Sequence, residues 1–158
     1  MQITHPIFGE LWYDDYHGYT AKKIVSFADK EAEIEIVLKE NEVGSGIEEA
    51  HCETFKNLMA NWDRTMPNVL QAIIKYQNEE WSSTDHSQSF PIFKSPCDVL
   101  ENVELCGIKI ASLIQGHKKE DGCYVVLTFG ADWVNDDYRL LSVALDGEKI
   151  VKVSDQHV

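Results

Sequence analysis

Two segments of the chain set large amphipathic rings beside carboxylates. These are Asp14-Asp15-Tyr16-His17-Gly18-Tyr19 and Ala131-Asp132-Trp133-Val134-Asn135-Asp136-Asp137-Tyr138, and neither carries the alternation of a strand or the stripe of a helix. Rings of this kind supply contact area, while neighbouring carboxylates attract and orient a basic partner, which is the chemistry of a protein-binding surface. The candidate partner-binding residues are therefore Asp14, Asp15, Tyr16, Asp132, Trp133, Asp136, Asp137 and Tyr138. The competing reading is structural: rings at strand ends also close a core, and acidic turns are often only solvated.

Other chemistries find less support in the residue spacing. Gly44-Ser45-Gly46 precedes a helical pattern, but no G-x-x-x-x-G-K or G-x-G-x-x-G accompanies it and glutamates follow closely, so a phosphate cradle is not expected. The six histidines, His5, His17, His51, His86, His117 and His157, include no i, i+4 pair. There is no C-x-x-C, and His51 beside Cys52 would diverge on a helix, so no metal site is expected. No G-x-S-x-G elbow marks a nucleophile. Adjacent carboxylates such as Asp14-Asp15, Glu48-Glu49, Glu79-Glu80 and Asp136-Asp137 arise by chance among 27 acidic residues. The expectation is a protein without catalytic residues and without a cofactor.

The charge balance points the same way. Fourteen Lys and Arg against 27 Asp and Glu give a net charge of −13, spread over both halves of the 158 residues. Such a field repels nucleic-acid phosphates and anionic lipid and accelerates encounter with basic proteins. The opening Met-Gln-Ile-Thr-His-Pro has no basic n-region or apolar h-region, so a cytoplasmic location is expected. Cys52, Cys97, Cys106 and Cys123 show no short-range pairing motif and are expected to be reduced and packed.

The elements that must position these residues follow from periodicity. Strand patterns run over 8–13, Thr20 to Phe27 and Glu31 to Leu38. In the third, Ala32, Ile34, Ile36 and Leu38 alternate with Glu31, Glu33, Glu35 and Lys39, so one face is wet. The short Ala28-Asp29-Lys30 link suits a hairpin. Beyond residue 46 the period becomes helical. One stripe carries Ile47, Ala50, His51, Phe55, Leu58, Met59 and Trp62; a second carries Met66, Val69, Leu70, Ile73, Ile74 and Trp81, with Thr65 as its cap, Pro67 in its first turn and a joint of three or four residues. Ser82 to Ser95 reads as a mobile surface loop. A helical turn around Asp98 to Asn102 precedes strand runs over Leu105 to Ile114, Cys123 to Phe129, Arg139 to Leu145 and Glu148 to Val153. Asp146-Gly147 is the turn between the last two. The expected architecture is one α+β domain over 1–158 in the order βββ-αα-ββββ, an antiparallel sheet with an antiparallel helical pair on one face.

Pro6-Ile7-Phe8-Gly9-Glu10-Leu11-Trp12-Tyr13, the helical region Phe55 to Tyr76 with Asn68-Val69-Leu70-Gln71-Ala72-Ile73, and Asp132-Trp133 together resemble small acidic bacterial proteins of unknown function. Those proteins look like immunity proteins of polymorphic or contact-dependent toxin systems. In that group an acidic turn containing His-Gly commonly follows the aspartate-tryptophan region, whereas this chain has Val134-Asn135-Asp136-Asp137-Tyr138. The resemblance implies a binding protein that neutralises a cognate toxin, and the acidity implies a basic toxin such as a nuclease. The alternatives are a non-toxin interaction or scaffold domain, including a homodimer joined at a strand edge, and a small hydrolase assembled from dispersed carboxylates and histidines.

Overall fold

The computed structural model describes residues 2–27, 30–42, 44–76, 78, 95–114, 117–119, 122–131 and 141–154. Four strands come first: β1 (Gln2–His5), β2 (Gly9–Asp14), β3 (Gly18–Phe27) and β4 (Lys30–Leu38). Three helices follow, α1 (Glu49–Ala60), α2 (Trp62–Tyr76) and α3 (Pro96–Asn102). The chain then returns to strands as β5 (Val103–Ala111), β6 (Leu113–Ile114), β7 (His117–Lys118), β8 (Tyr124–Ala131), β9 (Leu141–Asp146) and β10 (Lys149–Ser154). The fold is α+β. Its main sheet has eight strands in the order β1-β2-β3-β4-β5-β8-β9-β10, with β6-β7 as a separate ribbon.

The sheet is antiparallel as expected except at one seam, where β4 and β5 pair in parallel, with Val37 opposite Lys109 and Leu38 opposite Ile110. The other neighbouring strands of the main sheet pair antiparallel. The physical reason is the connection. Parallel neighbours need a crossover of a dozen or more residues, and the helices between β4 and β5 supply it. The sheet also starts one strand earlier than expected, with β1, and the run expected over Leu105 to Ile114 breaks at Ser112. The expected Ser82 loop and the Ala28-Asp29 link lie outside the described residues, as does Trp81.

Registers place the core on one face of the sheet. Ile36, Ile108, Leu127 and Val143 lie opposite one another across β4, β5, β8 and β9, and Leu38, Ile110, Val125 and Leu145 form the next row. All eight are buried. The helices cover these rows with His51, Cys52, Phe55 and Leu58 of α1 and Trp62, Met66, Val69, Leu70 and Ile73 of α2. Each such aliphatic side chain removed from water contributes roughly 1.5–3 kcal/mol. The joint between α1 and α2 is one residue, not three or four. The Asn61 amide N–H and its side-chain Nδ2 both donate to the Asn57 carbonyl, while the Asn61 carbonyl accepts from Arg64 and Thr65 at the start of α2. Pro67 consequently lies inside α2, where it leaves the Asp63 carbonyl without its helical donor.

Two contacts tie the helices to the sheet through backbone polar groups. The Trp62 indole donates to the Ser26 carbonyl at 2.7 Å. His51 is fully buried; its Nδ1 accepts from the Glu48 amide at 2.9 Å, and its Nε2 lies 2.7 Å from the Lys39 carbonyl. A carbonyl can only accept, so the ring carries its proton on Nε2. This histidine joins the first turn of α1 to the end of β4.

Gly18 fixes where β3 begins. Its φ is +92°, and a Cβ there would stand 2.6 Å from the Leu38 carbonyl oxygen, so a side chain meets both backbone strain and the neighbouring strand. Gly18→Ala should cost about 3 kcal/mol, combining left-handed strain with overpacking. Gly9 also has positive φ but has open space around its Cβ position, so Gly9→Ala should cost only about 1 kcal/mol. Urea titration of the two variants checks the difference. The final hairpin turns at Gly147-Glu148, one residue later than expected, with Asp146 paired to Lys149 and Gly147 at φ 62°.

Candidate functional site

The β2–β3 turn is the part of the predicted surface that lies within the described residues, and its backbone is held from several sides. Asp14 Oδ1 accepts the amides of Tyr16 at 2.8 Å and His17 at 2.6 Å, and Asp14 Oδ2 lies 3.1 Å from His17 Nδ1. The Tyr16 carbonyl accepts from Lys39 Nζ at 2.7 Å. The Tyr16 ring meets the edge of His17 with centroids 4.9 Å apart, yet Tyr16 as a whole is 83% exposed. A large ring is thus presented to solvent on a turn with little freedom to lose on binding.

Beside that ring is a small open cleft of about 320 Å³, lined by Tyr13, Asp15, Tyr16, Gly18, Lys39 and Glu40. Its electrostatics are negative. Desolvation, then Glu40, then Asp15 push the Tyr13 hydroxyl above its ordinary range, and desolvation followed by Glu40 does the same to Tyr19. Two rings and two carboxylates around one opening suit the side chain of an arginine or lysine, through ion pairing and cation–π contact.

Asp14 behaves as a structural carboxylate. Hydrogen bonds from His17 and Tyr16 hold its pKa below the ordinary aspartate range, with the His17 amide the largest cause. A depressed folded-state pKa contributes stability that is present above the unfolded value and lost as pH falls through the folded one. Glu148, held down chiefly by its hydrogen bond from Arg64, adds to stability with the same sign. The urea midpoint should therefore fall as pH drops below the ordinary carboxylate range, and it should fall less steeply in Asp14→Asn.

The turn continues onto a wet sheet face that the helices leave uncovered. Directly opposed residues share a face, so Gln2, Trp12, Thr20, Val37 and Lys109 form one row across β1 to β5. Lys22 faces Glu35, Ile24 faces Glu33 and Ser26 faces Glu31 in rows below it. Trp12 is 47% and Ile24 68% exposed, so apolar groups stand among exposed carboxylates. The periodicity identifies Glu31, Glu33 and Glu35 as the wet side of β4 but misses Trp12 and Ile24 as surface groups. The available signal was Ile24 itself, an apolar residue between Lys22 and Ser26 on the polar phase of its strand.

Asp132, Trp133, Asp136, Asp137 and Tyr138 lie outside the described residues. Among the described residues, no group of three or more His, Cys, Asp or Glu side chains converges as a metal site. Cys52 Sγ lies 3.9 Å from His5 Nε2, a thiol–imidazole contact of the kind that can activate a nucleophile. Here desolvation and then Glu49 push the Cys52 thiol up, so the thiolate is disfavoured. Burial acts likewise on Cys123, and the four cysteines are free thiols. No helix among the described residues is long and apolar enough to cross a membrane.

Residues 7–158 match the family described as a domain of unknown function, DUF6985. The chain belongs to that family. The match spans β2 to β10 and so takes in the turn, the wet face and the helical layer of this DUF6985 domain. No curated protein and no solved structure matches it.

Proposed function

We propose that this DUF6985 domain is an immunity protein that captures a basic toxin domain, such as a nuclease, in the cytoplasm of the cell that makes both. The observation that carries the reading is the Tyr16 ring, 83% exposed on a braced turn beside a cleft lined by Asp15 and Glu40. A partner's arginine or lysine enters that cleft, and Trp12 and Ile24 extend the contact along the outer face of β2 to β4. Asp132, Trp133, Asp136, Asp137 and Tyr138 complete the proposed contact set. The net charge of −13 steers a basic toxin toward this face, and such steering raises association rates toward roughly 10⁸–10⁹ M⁻¹s⁻¹ at low salt. Binding blocks the toxin without any reaction by this chain.

The alternative of a strand-edge homodimer has less support. β1 is only four residues long, and β10 carries a register irregularity between Ile150 and Lys152 together with exposed lysines. Short, irregular and charged edges resist strand addition.

The test is co-expression with the toxin domain encoded beside this chain's gene. The proposal expects cells to survive and the two proteins to co-elute in equal amounts. Undiminished toxicity with no complex on a sizing column would refute it.

A further inference from the structure

The small cleft beside Tyr16 has unlike walls, and its two carboxylates are not equivalent. Glu40 is engaged within its own chain: Oε2 accepts the Gly44 amide at 2.7 Å, and the Tyr19 hydroxyl couples to the same side chain. Asp15 stands exposed at the rim, where the Tyr13 hydroxyl meets it. A carboxylate has about four lone-pair sites, so Asp15 can keep that contact and still receive two parallel N–H donors. The Tyr16 ring forms a third wall. It stands nearly edge-on to His17, at an interplanar angle of 77°, and Tyr16 is 83% exposed, so much of its π surface is open to a ligand. The last wall is Lys39, whose Nζ donates to the Tyr16 carbonyl at 2.7 Å and so brings a positive charge into the lining. Two carboxylates against one ammonium leave one net negative charge, which suits one incoming cation.

We infer that the cleft is selective for a guanidinium, so that the partner residue it seats is an arginine and not a lysine. This rests on the reading of the cleft as the seat of a partner's cation, though not on what that partner does. A guanidinium is flat and weakly hydrated and spreads its charge over three nitrogens, so it can lie on the Tyr16 ring while two of its N–H groups reach Asp15. A lysine ammonium is a compact, strongly hydrated point charge whose three donors diverge. In an open cleft with one receptive carboxylate it keeps much of its water, and its concentrated charge meets more repulsion from Lys39. A quaternary ammonium can rest on the ring but has no N–H to give Asp15.

The experiment is a ¹H–¹⁵N NMR titration of the full chain, at one total ionic strength, with acetyl-arginine amide, acetyl-lysine amide and tetramethylammonium. Saturable shifts at the Tyr16 and Gly18 amides are expected with the arginine probe, at an affinity about fivefold tighter than for either other cation, in keeping with a cation–π contact on an exposed ring. Tyr16→Leu and Asp15→Asn should each erase that preference while the rest of the spectrum stays dispersed as in the parent. Glu53→Gln, on the exposed side of α1, should leave it unchanged. Equal or tighter binding of the lysine probe or tetramethylammonium, shifts that never saturate, or an arginine preference that survives both substitutions would overturn the inference. No toxin enters this measurement, so the two readings fail separately: toxin capture without the arginine preference sinks this inference alone, and the preference without toxin capture sinks only the proposed function.

Discussion

A variant carrying both Tyr16→Ala and Asp15→Lys is expected to bind the proposed toxin domain at least 100-fold more weakly than the parent chain, a loss of about 3 kcal/mol. The two changes act on different steps. Tyr16→Ala removes an exposed ring from a turn already braced by Asp14 and Lys39, so the free protein should lose little stability and the effect should fall on dissociation. Asp15→Lys reverses a charge lining the small acidic cleft, which lowers the association rate and flattens its dependence on salt. Stopped-flow binding at several salt concentrations separates the contributions. Because both residues contribute to one cleft, their effects should not add.

The second large effect concerns folding. His51→Ala should destabilise the chain by about 4 kcal/mol, which is large for a position with no solvent contact and no proposed role in binding. The substitution opens a cavity under α1 and removes the partner of two backbone groups, the Glu48 amide and the Lys39 carbonyl. His51→Phe should recover part of the packing and none of the hydrogen bonding, so it should fall between Ala and the parent in a urea titration. Since the Lys39 backbone ends β4 beside the turn, His51→Ala should also loosen the Tyr16 environment, readable as exchange broadening of the Tyr16 amide.

How far the fold is readable depends on whether its determinants are local. Ala32, Ile34 and Ile36 alternate with Glu31, Glu33 and Glu35 because one face of β4 meets the core and the other meets water, so the pattern is written within the strand. β1 escapes because Gln2 to His5 is a four-residue edge strand of mostly polar residues whose role is set by its pairing with β2. The parallel register of β4 with β5 is non-local: the route of the helices decides it, and no dipeptide signals it. The same register brings Lys109 beside Val37, which no reading of either segment alone would find. His51 shows the converse, since a histidine on an apolar helical stripe is legible as buried, but its partner on Lys39 is not.

The acidic turn was legible by type, through aromatic residues and carboxylates without strand or helix periodicity, while its geometry was not. Spacing does not reveal that Asp14 spends its carboxylate on the turn backbone, leaving Asp15 and Glu40 to line the small cleft. Nor does it show that Trp12 and Ile24 extend the surface. That extension depends on the cross-strand pairs Trp12–Thr20 and Ile24–Glu33.

Cross-saturation NMR on the proposed complex with a toxin domain tests the binding face most directly, because irradiating the partner's protons marks only the groups of this chain that it touches. Attenuation should concentrate on the Trp12 indole N–H, the Ile24 methyls and the Tyr16 amide, with the core methyls of Ile36 and Leu127 unaffected. Attenuation confined to the exposed side of α1, at Glu49, Glu53 and Lys56, with Trp12, Tyr16 and Ile24 untouched, would contradict the account.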